Sequence, residues 1–103
     1  MFDLGIVIVN WNTRDRLRDC LQSLRASQGV SFATYVVDNS STDNSPAMVR
    51  AEFPDVRLIA SAMNGGYSYA NNLGLRQILA LNPSPPFTLL LNPDTVLPPD
   101  ALA

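Results

Sequence analysis

Apolar positions follow two patterns that alternate along the chain. Four short, nearly unbroken apolar runs stand out: "LGIVIVN" (4–10), "TYVVDNS" (34–40), "DVRLIAS" (55–61) and "PFTLLLN" (86–92). Runs of this length fit strands buried on both faces. Arg57 interrupts the third run, which predicts a place nearer a sheet edge. Between the runs the apolar spacing becomes helical. Leu17, Cys20, Leu21 and Leu24 fall at i, i+3, i+4 and i+7, one stripe of a helix. Asn12 or Thr13 is placed to cap it, with Asp15 three residues after Asn12, and Gly29 is a stop signal. Met48, Val49 and Phe53 form a second face, opened by Ser45-Pro46 and closed by Pro54. A third helix follows the Gly-rich stretch "MNGGYSYANN". Ala70, Leu73, Ile78, Leu79 and Leu81 are its predicted buried face.

The order is strand, helix, strand, helix, strand, helix, strand. It predicts an α/β fold with a Rossmann-like parallel sheet (βαβαβαβ, order 3-2-1-4) in one domain over residues 1–103. The strand order reverses between strands 1 and 4, and ligands bind beyond the carboxyl ends of strands at such a point. Polar residues occupy those ends: Asn10-Trp11-Asn12, Asp38-Asn39, the loop from Ser61 to Tyr67, and Asn92-Pro93-Asp94. Taken singly, such Asn and Asp residues also serve as turn formers and helix caps. Four strand ends meeting on one rim point to a ligand site.

Composition removes several alternatives. All seven basic residues are arginine, net charge is -2, and there is no lysine or histidine. No basic stripe is present, so nucleic acid is not an expected partner. Without lysine there is no Walker-type phosphate loop. Without histidine there is no His-based acid–base pair and no His-ligated zinc. Cys20, the only cysteine, lies on the apolar stripe and reads as a small core residue. A lone cysteine fits a reducing compartment. The first apolar run lacks a basic leader and is too short to span a bilayer. The expected location is cytoplasmic, or peripheral at the inner membrane face.

Three motifs, in order, carry a family resemblance. "VVDNSSTDNS" resembles the nucleotide-binding motif of family 2 inverting glycosyltransferases with the GT-A fold. "NGGYSYANNLGL" resembles that family's Gly-rich turn and helix start. "LLLNPDT" resembles the metal-binding Asp-x-Asp motif in the form found in bacterial rhamnosyltransferase-like members. "IVIVNWNTRDRLRDCLQSL" resembles their first strand and helix. The resemblance implies an enzyme of cell-wall or polysaccharide biosynthesis that moves a hexosyl or rhamnosyl group from a dTDP- or UDP-sugar to a saccharide or lipid-linked acceptor.

Residue by residue, it implies that Asp38 accepts a hydrogen bond from the N3–H of a pyrimidine base. It places the backbone of Val9, Asn10 and Trp11 against the base, with Asn12, Asn39 and Asp43 near the nucleoside. Asn64, Gly65, Gly66, Asn71 and Asn92 complete the implied nucleotide site. Asp94 would hold Mn²⁺ or Mg²⁺ on the donor diphosphate. Two positions depart from the common pattern: Asn92 replaces the first Asp of Asp-x-Asp, and Asn71 stands where the family often has Arg. The glycine turn at 64–66 also has a purely conformational reading. Trp11, Tyr67 and Tyr69 divide between packing and ligand contact.

In this family the acceptor pocket and the catalytic carboxylate follow the metal motif, where this chain has only "TVLPPDALA". The expectation is therefore a truncated, donor-binding part of a GT-A domain, inactive alone and with no catalytic residue of its own. An open edge or face of its sheet would favour self-association. A stand-alone nucleotide-binding module is the alternative. A receiver-like signalling domain is disfavoured, because it needs an acidic pair after strand 1 and a lysine.

Overall fold

The computed structural model describes residues 2–102; Met1 and Ala103 lie outside the described residues. The elements are β1 (Leu4–Asn10), α1 (Arg14–Arg25), β2 (Phe32–Asp38), α2 (Ser45–Glu52), β3 (Arg57–Ala60), α3 (Tyr67–Leu79) and β4 (Phe87–Leu91). The four strands form one parallel sheet in the order β3-β2-β1-β4. The predicted order and reversal point are both present.

Pleating sends alternate side chains of β1 to opposite faces. Ile6 and Ile8 join Leu17, Cys20, Leu21, Leu24, Met48, Val49 and Phe53 in a core under α1 and α2. Val7 joins Tyr35, Val37, Ala70 and Ile78 in a second core under α3. Full burial of each such aliphatic side chain contributes about 1.5–3 kcal/mol. β3 is short, lies at an edge and has no fully buried residue, as the position of Arg57 predicts.

The buried face of α3 differs from the predicted one. Ala70, Asn71, Gly74 and Ile78 are buried, Leu73 and Leu81 are partly buried, and Leu79 is 70% exposed. The buried stripe runs through Ala70, Gly74 and Ile78 at i, i+4 and i+8, which leaves Leu79 on the opposite side, and the helix approaches the sheet closely. A Cβ at Gly74 would sit 2.6 Å from Val7 Cγ1, and one at Gly5 would sit 2.8 Å from Ile78. Glycines on both sides, Gly5 on β1 and Gly74 on α3, make room for Ile78 and Val7 at the contact.

The segment after β4 folds back over the α1 side. Leu97 and Leu102 pack on the first core, and Gln28 N donates to the Pro99 carbonyl at 2.9 Å. Among the described residues no helix is long and apolar enough to cross a membrane.

Candidate functional site

Asn10 and Asp38 are register partners at the carboxyl ends of β1 and β2. Asn10, Asp38 and the next residue, Asn39, are at most 3% exposed. Polar groups buried this deeply are costly unless hydrogen-bonded. Asn10 Nδ2 donates to Asp38 Oδ1 at 2.9 Å, and Asn10 Oδ1 accepts from Thr13 Oγ1 at 2.6 Å. Asp38 also accepts from Ser41, through Oγ at 2.7 Å and N at 2.9 Å. A carboxylate has about four acceptor positions; these three bonds fill most of them from within the chain.

The bonding continues outward. Ser41 Oγ accepts from Asn12 N at 2.9 Å, and Asn12 Oδ1 accepts from Thr42 N at 2.8 Å. The loops after β1 and β2 are thereby clasped. Asn12, Ser40 and Asn44 adopt positive φ of 52°, 66° and 66° within the clasp. Such geometry is uncommon outside glycine, and Asn tolerates it best.

Asp43 finishes the clasp. Its Oδ2 accepts from Arg14 N at 2.9 Å, and its Oδ1 accepts from Ser45 N at 3.1 Å and from Ser45 Oγ. One carboxylate thus serves the first turns of both α1 and α2. Burial pushes the Asp43 carboxyl up, but the bonds from Ser45 and Arg14 outweigh it and hold it below its ordinary value. This corrects the expected cap. Thr13 holds the N-cap position without a side-chain capping bond, because its hydroxyl goes to Asn10. Asn12 is committed to Thr42. The groove lined by residues 12–16, Asp43 and Asn44 therefore opens on a helix end that already has its carboxylate.

Asn39 is bonded differently. Its backbone N donates to the Asn10 carbonyl at 2.8 Å, and its Nδ2 donates to the Gly66 carbonyl at 3.2 Å. Its Oδ1 is buried with no donor. The amide cannot flip without facing oxygen to oxygen, so the free atom is an acceptor. Asn71 Oδ1, on α3, is also buried without a donor.

The glycine turn has its own reasons. Gly66 sits at φ 91°, with open space where a Cβ would be. Its need for glycine is conformational. Gly65 has the opposite reason: a Cβ there would lie 2.4 Å from the Tyr69 ring. Asn64 Oδ1 accepts from Gly66 N at 2.9 Å and closes the turn. Trp11 and Tyr67 remain more than half exposed, so packing does not account for them. Val9 packs partly against the second core and pairs with Val37 in the sheet.

Beyond β4, Asn92 and Asp94 are exposed, and Thr95 N donates to the Asn92 carbonyl at 3.1 Å in a tight turn. Cys20 Sγ lies 3.9 Å from the Asn92 carbonyl. Its thiol is pushed up to about 11, chiefly by burial and secondly by the negative charge of Asp94. It is therefore a protonated core residue at neutral pH. Among the described residues no group of three His, Cys, Asp or Glu side chains is arranged around a metal position. Asp94 is the carboxylate that this turn presents.

The structure thus brings Asn10, Asn12, Asp38 and Asn39 into one hydrogen-bonded unit with Gly66 attached, and Asp43 stands beside it, bonded to Arg14 and Ser45. Asn92 and Asp94 stand on a separate turn. Thr13 joins the unit through Asn10 in place of its expected capping bond, and Ser41 and Thr42 are members to which the motif assigns no role. The signal for Ser41 and Thr42 is the hydroxyl-rich "SSTD" after Asp38, a composition that favours side-chain-to-backbone turns.

Comparison with known proteins agrees with this architecture. Over 75 residues the chain is 31% identical to N-acetylglucosaminyl-diphospho-decaprenol L-rhamnosyltransferase of Mycobacterium tuberculosis (strain CDC 1551 / Oshkosh), covering 73% of this chain and 24% of that protein. The crystal structure of S. aureus TarS 1–349 in complex with UDP superposes with TM-score 0.83 and 20% identity, over 97% of this chain and 30% of that one. The mannosyltransferase PcManGT from Pyrobaculum calidifontis, in complex with GDP-Man and Mn²⁺, superposes with TM-score 0.77 and 20% identity, over 94% and 29%. The two superpositions show the shared GT-A fold. The chain spans between 13% and 28% of the length of the curated relatives it matches. The family described as Glycosyl transferase family 2 matches residues 5–103, and the chain belongs to that family.

Proposed function

We propose that this chain is the donor-binding part of an inverting glycosyltransferase that takes a UDP- or dTDP-sugar, with a divalent ion, for hexosyl or rhamnosyl transfer to a saccharide or lipid-linked acceptor. One observation carries the reading: Asn39 Oδ1 is a buried acceptor that the protein leaves without a donor. Uracil and thymine present N3–H to such an atom. Cytosine presents an N3 lone pair, which would be repelled. The Gly66 carbonyl holds the amide in the accepting orientation. Asn39 therefore fits the base-reading role better than Asp38, whose oxygens serve Asn10 and Ser41. Asn71 Oδ1 is a second buried acceptor without a donor.

A divalent ion on the donor diphosphate fits the residues present only as an ion that arrives with the donor. Magnesium-type sites commonly use one or two protein carboxylates and complete their shell with substrate phosphates and water. Asp94 supplies one carboxylate and Asn92 a neutral neighbour. When bound, the ion would neutralise the diphosphate and ease departure of the nucleoside diphosphate as a Lewis acid. Binding of UDP by TarS and of GDP-Man with Mn²⁺ by PcManGT supports a nucleotide-sugar site on this fold. The relatives' names support a place in cell-envelope or polysaccharide synthesis.

Calorimetric titration with UDP, dTDP, CDP and GDP tests the reading. UDP and dTDP should bind at least about tenfold tighter than CDP, since an acceptor facing an acceptor forfeits roughly 1.5 kcal/mol or more. Equal binding of CDP, or a preference for GDP, would overturn it.

A further inference from the structure

The turn that presents Asp94 is held on both sides by one helix. Before the turn, Cys20 on α1 lies against the Asn92 carbonyl. After it, Leu97 N donates to Ser23 Oγ at 3.1 Å. Ser23 Oγ donates in turn to the Cys20 carbonyl at 2.7 Å. Its donor and an acceptor position are thus both engaged, and its rotamer is fixed. Further along, Gln28 N holds the Pro99 carbonyl and Leu97 packs on the first core. Ser23 is the first hydrogen-bonding side chain of α1 to grip the chain after Asp94.

We propose that Ser23 is a positioning residue for Asp94: its hydroxyl sets the carboxylate's reach toward the metal–diphosphate of a bound donor. The inference rests on the donor-binding reading above. The physical reason is the geometry of a short exposed turn. Thr95 N to the Asn92 carbonyl closes the turn but does not orient it relative to the sheet. β4 fixes its entry through the buried Leu91, and Ser23 fixes its exit. Without the second anchor the carboxylate would sample a wider arc. A lone carboxylate has no neighbouring ligand to correct that arc. The helix itself has no need of this hydroxyl, because a serine bonded back to its own helix slightly disfavours helix and alanine is the better former. Ser23→Ala is therefore not expected to unfold the chain.

The test compares parent, Ser23→Ala and Ser23→Thr by calorimetry with uridine, with UDP, and with UDP plus Mn²⁺. In the parent, Mn²⁺ should tighten UDP. In Ser23→Ala that tightening should shrink by about threefold to tenfold, the value of one hydrogen bond. Uridine should bind unchanged, and Ser23→Thr should restore the metal response. A full metal response in Ser23→Ala overturns the proposal. So does an equal loss for uridine, which would mark a general structural effect. If the parent itself shows no Mn²⁺ effect, the metal role of Asp94 fails, and the proposal fails with it.

Discussion

Asn39 Nδ2 donates to the Gly66 carbonyl at 3.2 Å, so a residue after β2 is oriented by the turn that opens α3. The bond leaves Asn39 Oδ1 as the free acceptor. Replacing Asn39 by Ala should weaken UDP about fivefold to tenfold, the net worth of roughly 1–1.5 kcal/mol. It should also reduce the preference for UDP over CDP. Calorimetry on both ligands checks it. If the mutant keeps the parental UDP-to-CDP ratio, Asn39 does not read the base.

Gly66→Ala probes the other half of that bond. No atom lies where the new Cβ would go, so the cost is backbone strain alone, about 1–3 kcal/mol. The expected result is a lower thermal midpoint together with weaker UDP binding, because the carbonyl that orients Asn39 moves. A variant with parental stability would show that φ 91° is not required there.

These details mark what the sequence made legible. The stripes Leu17-Cys20-Leu21-Leu24 and Met48-Val49-Phe53 were readable because helical period alone decides their burial. The strand order followed from element alternation. Leu79 misled because the buried stripe of the third helix runs through Ala70, Gly74 and Ile78 at i, i+4 and i+8, which turns Leu79 to the opposite side. Asp38 and Asn39 are neighbours at a strand end, both buried. Only the partners across the clasp reveal that Asp38 accepts three bonds while Asn39 Oδ1 accepts none. The capping of α1 by Asp43 was hidden for the same reason, since the two are separated by a whole strand.

Asp43→Ala should cost about 1–2 kcal/mol, the range for loss of a capping group. Its folded carboxyl is depressed, so its contribution is present above the ordinary value of 3.8 and is lost as pH falls through the lower folded value. The parent should therefore lose stability below that pH more steeply than Asp43→Asn, whose amide carbonyl can still accept from Arg14 N. Urea unfolding at pH 7 and pH 3 measures both effects. Parallel pH profiles for parent and Asp43→Asn would count against the carboxylate as the cause.

Asp94→Asn should leave the unfolding midpoint within about 0.5 kcal/mol of the parent, as for exposed residues outside special sites. Any Mn²⁺ enhancement of UDP binding should disappear. Retention of the enhancement would move the metal role elsewhere.

The outer side of β4 predicts association. β4 pairs with β1 on one side and has no second strand neighbour among the described residues. Leu89 and Leu91 belong to the α1 face, where Leu97 and Leu102 join them. The chain's own tail therefore packs over part of that face, while Phe87 at the start of β4 is 71% exposed. By alternation Leu90 points to the other face, and it is 45% exposed. An apolar edge without lysine or an inward charge is a template for another strand. Sedimentation should show concentration-dependent self-association. Leu90→Lys should shift the chain toward monomer with little change in its unfolding midpoint, because the side chain is not core. A parent that stays monomeric at high concentration, or a Leu90→Lys variant that associates as strongly, would show that this edge is not the contact.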